Sequence, residues 1–130
     1  MPVTLPYKEA EVPLGIHSRF SHDDESATAG YYQVLLKDYN INVELTATER
    51  CGIQRYTFPE AQAAIFLNLK KAMNWDFTND SRIEIVDSVT IQGYRFSDGW
   101  ARDQHIYFRT RFSKPFTSVQ IDTTAIIKDG

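Results

Sequence analysis

One cysteine, Cys51, stands in the whole sequence, so an internal disulfide and a thiolate zinc cluster are both excluded. Glycine is sparse: six residues, scattered singly, leave no glycine-rich loop to cradle a phosphate. Apolar runs are short. The stretch 63–67 is among the longest, far below the roughly 18 residues of a membrane-spanning helix. Charge of one sign is also missing, because 14 basic and 17 acidic residues mix along the chain for a net charge of −3. No basic block therefore marks a nucleic-acid partner or an anionic membrane surface. The opening residues 1–6 have neither the charged nor the apolar region of a secretory leader. Aromatics, by contrast, are plentiful, with seven Tyr, eight Phe and two Trp. With abundant Thr, Val and Ile they favour a β-rich chain. At 130 residues, 24% charged and 42% hydrophobic, the chain is long enough and apolar enough for one hydrophobic core.

The organisation is a succession of short segments separated by turn residues. Three prolines at 2, 6 and 13 make the start an extended lead-in rather than a helix. A strand is expected over 31–37, ending at the turn-forming Asp38-Tyr39-Asn40. The strand expected over 41–49 has strict alternation, with Ile41, Val43, Leu45 and Ala47 on one face and Asn42, Glu44, Thr46 and Thr48 on the other. The Arg50-Cys51-Gly52 step predicts a reversal into a second strand over 53–58, stopped by Pro59. The segment 59–64 offers one helical turn with Pro at its start. A buried strand is predicted over 65–69, and a loop over 73–81 from its Asn, Asp and Ser content. Further strands are expected over 82–87, 89–96, 105–112 and 118–127. Strands without a long amphipathic helix between them predict one all-β unit over 1–130, an antiparallel β-sandwich.

Candidate chemistry is limited. His17, His22, Asp23, Asp24 and Glu25 crowd one short run and are the residue types that bind metal. The run has no recognised ligand spacing, and it reads as a solvated loop. Carboxylate pairs for acid–base work are Glu44 with Glu49, Glu84 with Asp87, and Asp98 with Asp103. Strand parity puts the members of the first two on opposite faces, while Asp98 and Asp103 flank a turn. No serine sits in a nucleophile elbow, and Cys51 reads as a small apolar residue at a strand end. The stretch 93–101 is richer, because Tyr94, Arg95, Asp98 and Trp100 surround a turn. Aromatic faces beside convergent polar groups are what a sugar site or an interdomain interface requires. The alternative is a core corner in which Phe96 and Trp100 bury area. An exposed Trp100 indole keeps the first reading, and a buried one ends it.

The same residues carry a resemblance. Ser18-Arg19-Phe20-Ser21-His22-Asp23-Asp24-Glu25-Ser26-Ala27-Thr28-Ala29-Gly30-Tyr31-Tyr32 resembles the glycoside hydrolase family 92 segment S-x-F-S-H-x-x-E-x-A-x-P-G-Y-Y. Residues 44–59, from Glu44-Leu45-Thr46-Ala47-Thr48 to Tyr56-Thr57-Phe58-Pro59, are similar to its E-L-T-A-T-x-R-x-G-x-H-R-Y-T-F-P. Gly93-Tyr94-Arg95, Gly99-Trp100-Ala101, Tyr107-Phe108 and Phe112-Ser113-Lys114-Pro115-Phe116 follow in the family's order. Ala29 replaces its proline and Gln54 its histidine. The resemblance implies a calcium-dependent, inverting exo-α-mannosidase as the parent, with an N-terminal β-supersandwich and a C-terminal (α/α)6 barrel. It also implies that catalytic groups and calcium ligands lie outside this chain. On that reading the chain is an internal slice of the N-terminal domain, without catalytic residue, metal or cofactor of its own and inactive when isolated. Its partners would be the catalytic domain of the same chain and, through the parent, mannose-containing glycans. A periplasmic or extracellular parent is implied.

Overall fold

The computed structural model describes residues 1–5, 16–70 and 75–120, and every strand pairing in it is antiparallel. The chain forms two compact units, Met1–Leu67 and Asn68–Gly130.

The first unit holds two sheets. The short strands β1 (Pro2–Thr4) and β6 (Ala63–Ile65) pair with each other. A four-stranded meander joins β2 (Glu25–Thr28), β3 (Tyr31–Leu36), β4 (Ile41–Ala47) and β5 (Gly52–Thr57) in chain order. Gly30, at φ +79°, makes the tight β2–β3 reversal that a side chain would strain. A single 3-10 turn, His22–Asp24, precedes β2, and its Ser21 Oγ accepts from the Asp23 N–H. The alternation expected in β4 is present: Ile41 and Val43 are buried and, with Val3, Val34 and Tyr39, form the core of this unit. Tyr39 sits in the β3–β4 turn, yet its ring is buried in that core. The β4–β5 hairpin matches expectation, with Ala47 opposite Gly52.

The second unit is one sheet of β7 (Phe77–Asp87), β8 (Thr90–Asp98) and β9 (Gln104–Arg111), with β8 in the middle. Register places Ile83, Ile85, Ile91, Ile106 and Phe108 on one face. The opposite face carries Asp80, Arg82, Glu84, Gln92, Tyr94, Phe96, His105, Tyr107 and Arg109. This is a two-faced sheet, apolar on one side and mixed polar and aromatic on the other.

Several expectations need correction. The strand expected over 65–69 lies earlier, at Ala63–Ile65, and Phe66 and Leu67 are exposed rather than buried. Its pairing with β1 decides its position. No helical turn forms over 59–62. The loop expected over 73–81 is strand from Phe77 onward, because β8 supplies the ladder partners that its polar residues do not advertise. Residues 118–120 are not strand, and 121–127 lie outside the described residues.

Candidate functional site

The four residues marked around the 93–101 turn do not share one surface. Arg95 projects from the apolar face of β8, and its guanidinium is committed to the fold. Its Nε donates to Leu69 O at 3.0 Å and Thr78 Oγ1 at 2.9 Å. Nη1 donates to Ser97 Oγ at 2.9 Å, and Nη2 meets Asp76 Oδ2 at 3.2 Å. The fork thereby ties Leu69, Asp76 and Thr78 to the central strand.

That tie determines what stands at the tip of the sheet. Asp76 is held against Gly99, where an added Cβ would lie 2.9 Å from the Asp76 Cβ. The close approach brings Trp75 beside Trp100, with ring centroids 6.4 Å apart and planes tilted by 39°. Both indoles are exposed, Trp75 by 62% and Trp100 by 91%, so the core-corner reading of Trp100 falls. Sequence reading had no signal for Trp75, which is 25 residues from Trp100 and reaches it through the β7–β8 pairing.

Asp98 closes the turn. Its carboxylate accepts from the Asp103 N–H at 2.7 Å and from Asn79 Nδ2 at 2.6 Å. These hydrogen bonds, the Asp103 one first, hold its pKa below the usual carboxylate range. Asp103 sits in the left-handed region at φ +56° and turns its own carboxylate to His105 Nε2 at 2.9 Å. The pair is turn architecture rather than an acid and a base facing one substrate.

Tyr94 belongs to the polar and aromatic face. Its ring stacks on Phe96 at 4.4 Å, Phe96 stacks on His105 at 4.0 Å, and Tyr107 lies 6.2 Å from Tyr94 at 57°. The Tyr94 hydroxyl donates to Asp80 Oδ2 at 2.9 Å, which raises its pKa above the ordinary phenol value.

Other carboxylates are also engaged. Glu44, expected on a wet face, is only 13% exposed because it accepts from Arg55 across the hairpin and from Tyr31 Oη at 2.8 Å. The Arg55 bond, ahead of the Tyr31 bond, lowers its pKa. Glu25 accepts from Tyr32 Oη at 2.6 Å and bonds His22 Nδ1, which lowers its pKa, while Asp24 pairs with Lys37 at 2.8 Å. The parity argument for Glu84 and Asp87 fails. A register shift between Ile85 and Asp87 puts Asp87 opposite Thr90, on the face of Glu84. Asp87 then accepts from the Val89 N–H at 2.8 Å in the β7–β8 turn. Among the described residues, no three His, Cys, Asp or Glu side chains converge to hold a metal ion. Cys51 is exposed in the β4–β5 loop.

These features define a class: an all-β antiparallel chain with an exposed aromatic tip. The family model for the glycosyl hydrolase family 92 N-terminal domain matches residues 1–129, and the chain belongs to that family. Two solved structures of a family GH92 α-mannosidase from Bacteroides thetaiotaomicron are similar to it, one of them in complex with mannoimidazole. Each is 30% identical with a TM-score of 0.73, and the match covers 89% of this chain and 16% of that enzyme's chain. The chain thus spans a small part of the length of the structures it resembles. No curated protein matches it.

Proposed function

We propose that the chain serves as a non-catalytic part of the N-terminal β-sandwich domain of an α-mannosidase, both units belonging to that one domain. In this role it packs on a helical catalytic domain and helps wall the site where terminal α-mannosides are hydrolysed with inversion. The reaction itself needs an acid to protonate the leaving oxygen and a base to activate water, and both belong to the catalytic domain. The observation that carries the reading is the Trp75–Trp100 pair. Two large indoles held together in water, with the backbone beneath them tied down by Arg95 and Asp76, expose apolar area that a covering surface would remove from solvent. Interdomain contacts of this kind bury aromatic anchors at their centre.

The test uses the full-length protein in which the chain occurs. Replacing Trp75 and Trp100 together by Ala should lower turnover of an aryl α-mannoside, and the chain alone should show none. Indole emission should also be blue-shifted in the full-length protein relative to the chain. Unchanged turnover with unchanged emission would overturn the interface. Quenching of the chain's own indoles by mannobiose would instead make the tip a carbohydrate-binding module.

A further inference from the structure

The mixed face of the β7–β8–β9 sheet has an order that the interdomain reading does not use. Three rows of side chains cross the strands. Asp80, Phe96 and His105 form the first, Arg82, Tyr94 and Tyr107 the second, and Glu84, Gln92 and Arg109 the third. The first two rows present stacked aromatic rings. The third is a hydrogen-bonded polar line: Gln92 Nε2 donates to Glu84 Oε2 at 3.1 Å, and Arg109 Nη1 donates to Gln92 Oε1 at 3.3 Å. Between the second and third rows lies an open depression of about 280 Å³, lined by Arg82, Glu84, Gln92, Tyr94 and Tyr107 among others.

We infer that this depression is a binding site for a neutral pyranose, separate from the tryptophan tip. A sugar ring needs an apolar surface for its C–H face and, at its rim, donors and acceptors for its hydroxyls. Tyr107, 69% exposed, supplies the surface, and Tyr94 is braced behind it by Phe96 and Asp80. Arg82, Glu84 and Gln92 supply the hydrogen-bonding groups, the last two pre-positioned by the Glu84–Gln92–Arg109 chain of bonds. Charge selects a neutral ligand, since Arg82 and Arg109 are balanced by Asp80 and Glu84 on the same face. A protein partner fits less well, because charged side chains are depleted from the core of such interfaces and here they lie within the patch. The volume, about 280 Å³ and just under the roughly 300 Å³ of the smallest common ligand sites, suits a single sugar ring.

The chain itself is the test material, so this site stands or falls apart from the interdomain proposal. Backbone amide spectra are followed while methyl glycosides of mannose, glucose, galactose and N-acetylglucosamine are added, with methyl glucuronide as the charged control. At least one neutral glycoside should shift the amides of residues 92–94 and 107–109 saturably. A dozen heavy atoms on an open face give a dissociation constant of about 1 to 5 mM. Tyr107→Ala should weaken binding at least about tenfold, as should Glu84→Ala, while Tyr107→Phe and Trp100→Ala should retain it. Absence of saturable shifts for every neutral glycoside would overturn the site. So would binding that survives Tyr107→Ala but is lost in Trp100→Ala, or a preference for the glucuronide.

Discussion

Among the described residues Ile41 is the most completely buried large side chain, at 0% exposure, in one cluster with Val3, Val34, Tyr39 and Val43. Ile41→Ala removes three carbons. At about 0.8 kcal/mol for each buried methylene the transfer loss is about 2.4 kcal/mol. A core strand hydrogen-bonded on both sides cannot collapse into the void, so a cavity term adds to this and the expected cost is about 3 to 4 kcal/mol. Ile41→Val removes one carbon and should cost about 1 kcal/mol. The comparison is Ile53, on β5 and 68% exposed, where Ile53→Ala should change stability by no more than about 0.5 kcal/mol. Both tryptophans lie in the second unit, so indole fluorescence does not watch this core. The assay is urea unfolding followed by the backbone amide signals of β3 and β4, extrapolated linearly to water. A cost below about 1.5 kcal/mol for Ile41→Ala, or equal costs at Ile41 and Ile53, would refute the assignment of this face to the core.

Gly93→Ala should destabilise the second unit by about 1 to 3 kcal/mol, because the new Cβ would lie 2.0 Å from the Arg82 carbonyl oxygen, a backbone atom that cannot swing away; urea unfolding read by tryptophan emission measures it. Arg95→Lys should loosen the tip, since one ammonium cannot replace a fork reaching Leu69, Thr78, Ser97 and Asp76; faster amide exchange over 75–78 than in the parent chain is the expected readout. Glu25, Glu44 and Asp98 all hold protons more weakly folded than unfolded. Their contribution is therefore complete above the ordinary carboxylate range and fades as pH falls through their depressed folded values. Glu44→Gln should flatten that acid dependence in thermal melts, and an unchanged slope would count against the Arg55 and Tyr31 bonds as its source.

Much of this molecule was legible in the chain. The alternation from Ile41 to Ala47 placed Ile41 and Val43 inward, and Asp38-Tyr39-Asn40, the Arg50-Cys51-Gly52 reversal and Asp98-Gly99 marked where strands end. These are properties of a few neighbouring residues: side chains alternate with a period of two, and turn residues carry their own backbone preferences. The aromatic content and the lack of an amphipathic helical period pointed to antiparallel β structure, and the ordered motifs to the family. Other features depend on partners far along the chain. Residues 77–81 look like a loop until β8 offers them a ladder. The shift between Ile85 and Asp87 reverses the parity that put Glu84 and Asp87 on opposite faces. Glu44 alternates as a wet residue, and only the arrival of Arg55 and Tyr31 from adjacent strands covers it. Arg95 stands close to Trp100 in sequence, but its face of β8 turns it toward Leu69 and Thr78 instead. Trp75 became a candidate solely because Asp76 packs on Gly99. Local periodicity thus determined which residues form strands and which way most of them point. Register, bulges and cross-strand contacts assembled the sites, because they arise when distant segments meet and no local pattern encodes that meeting.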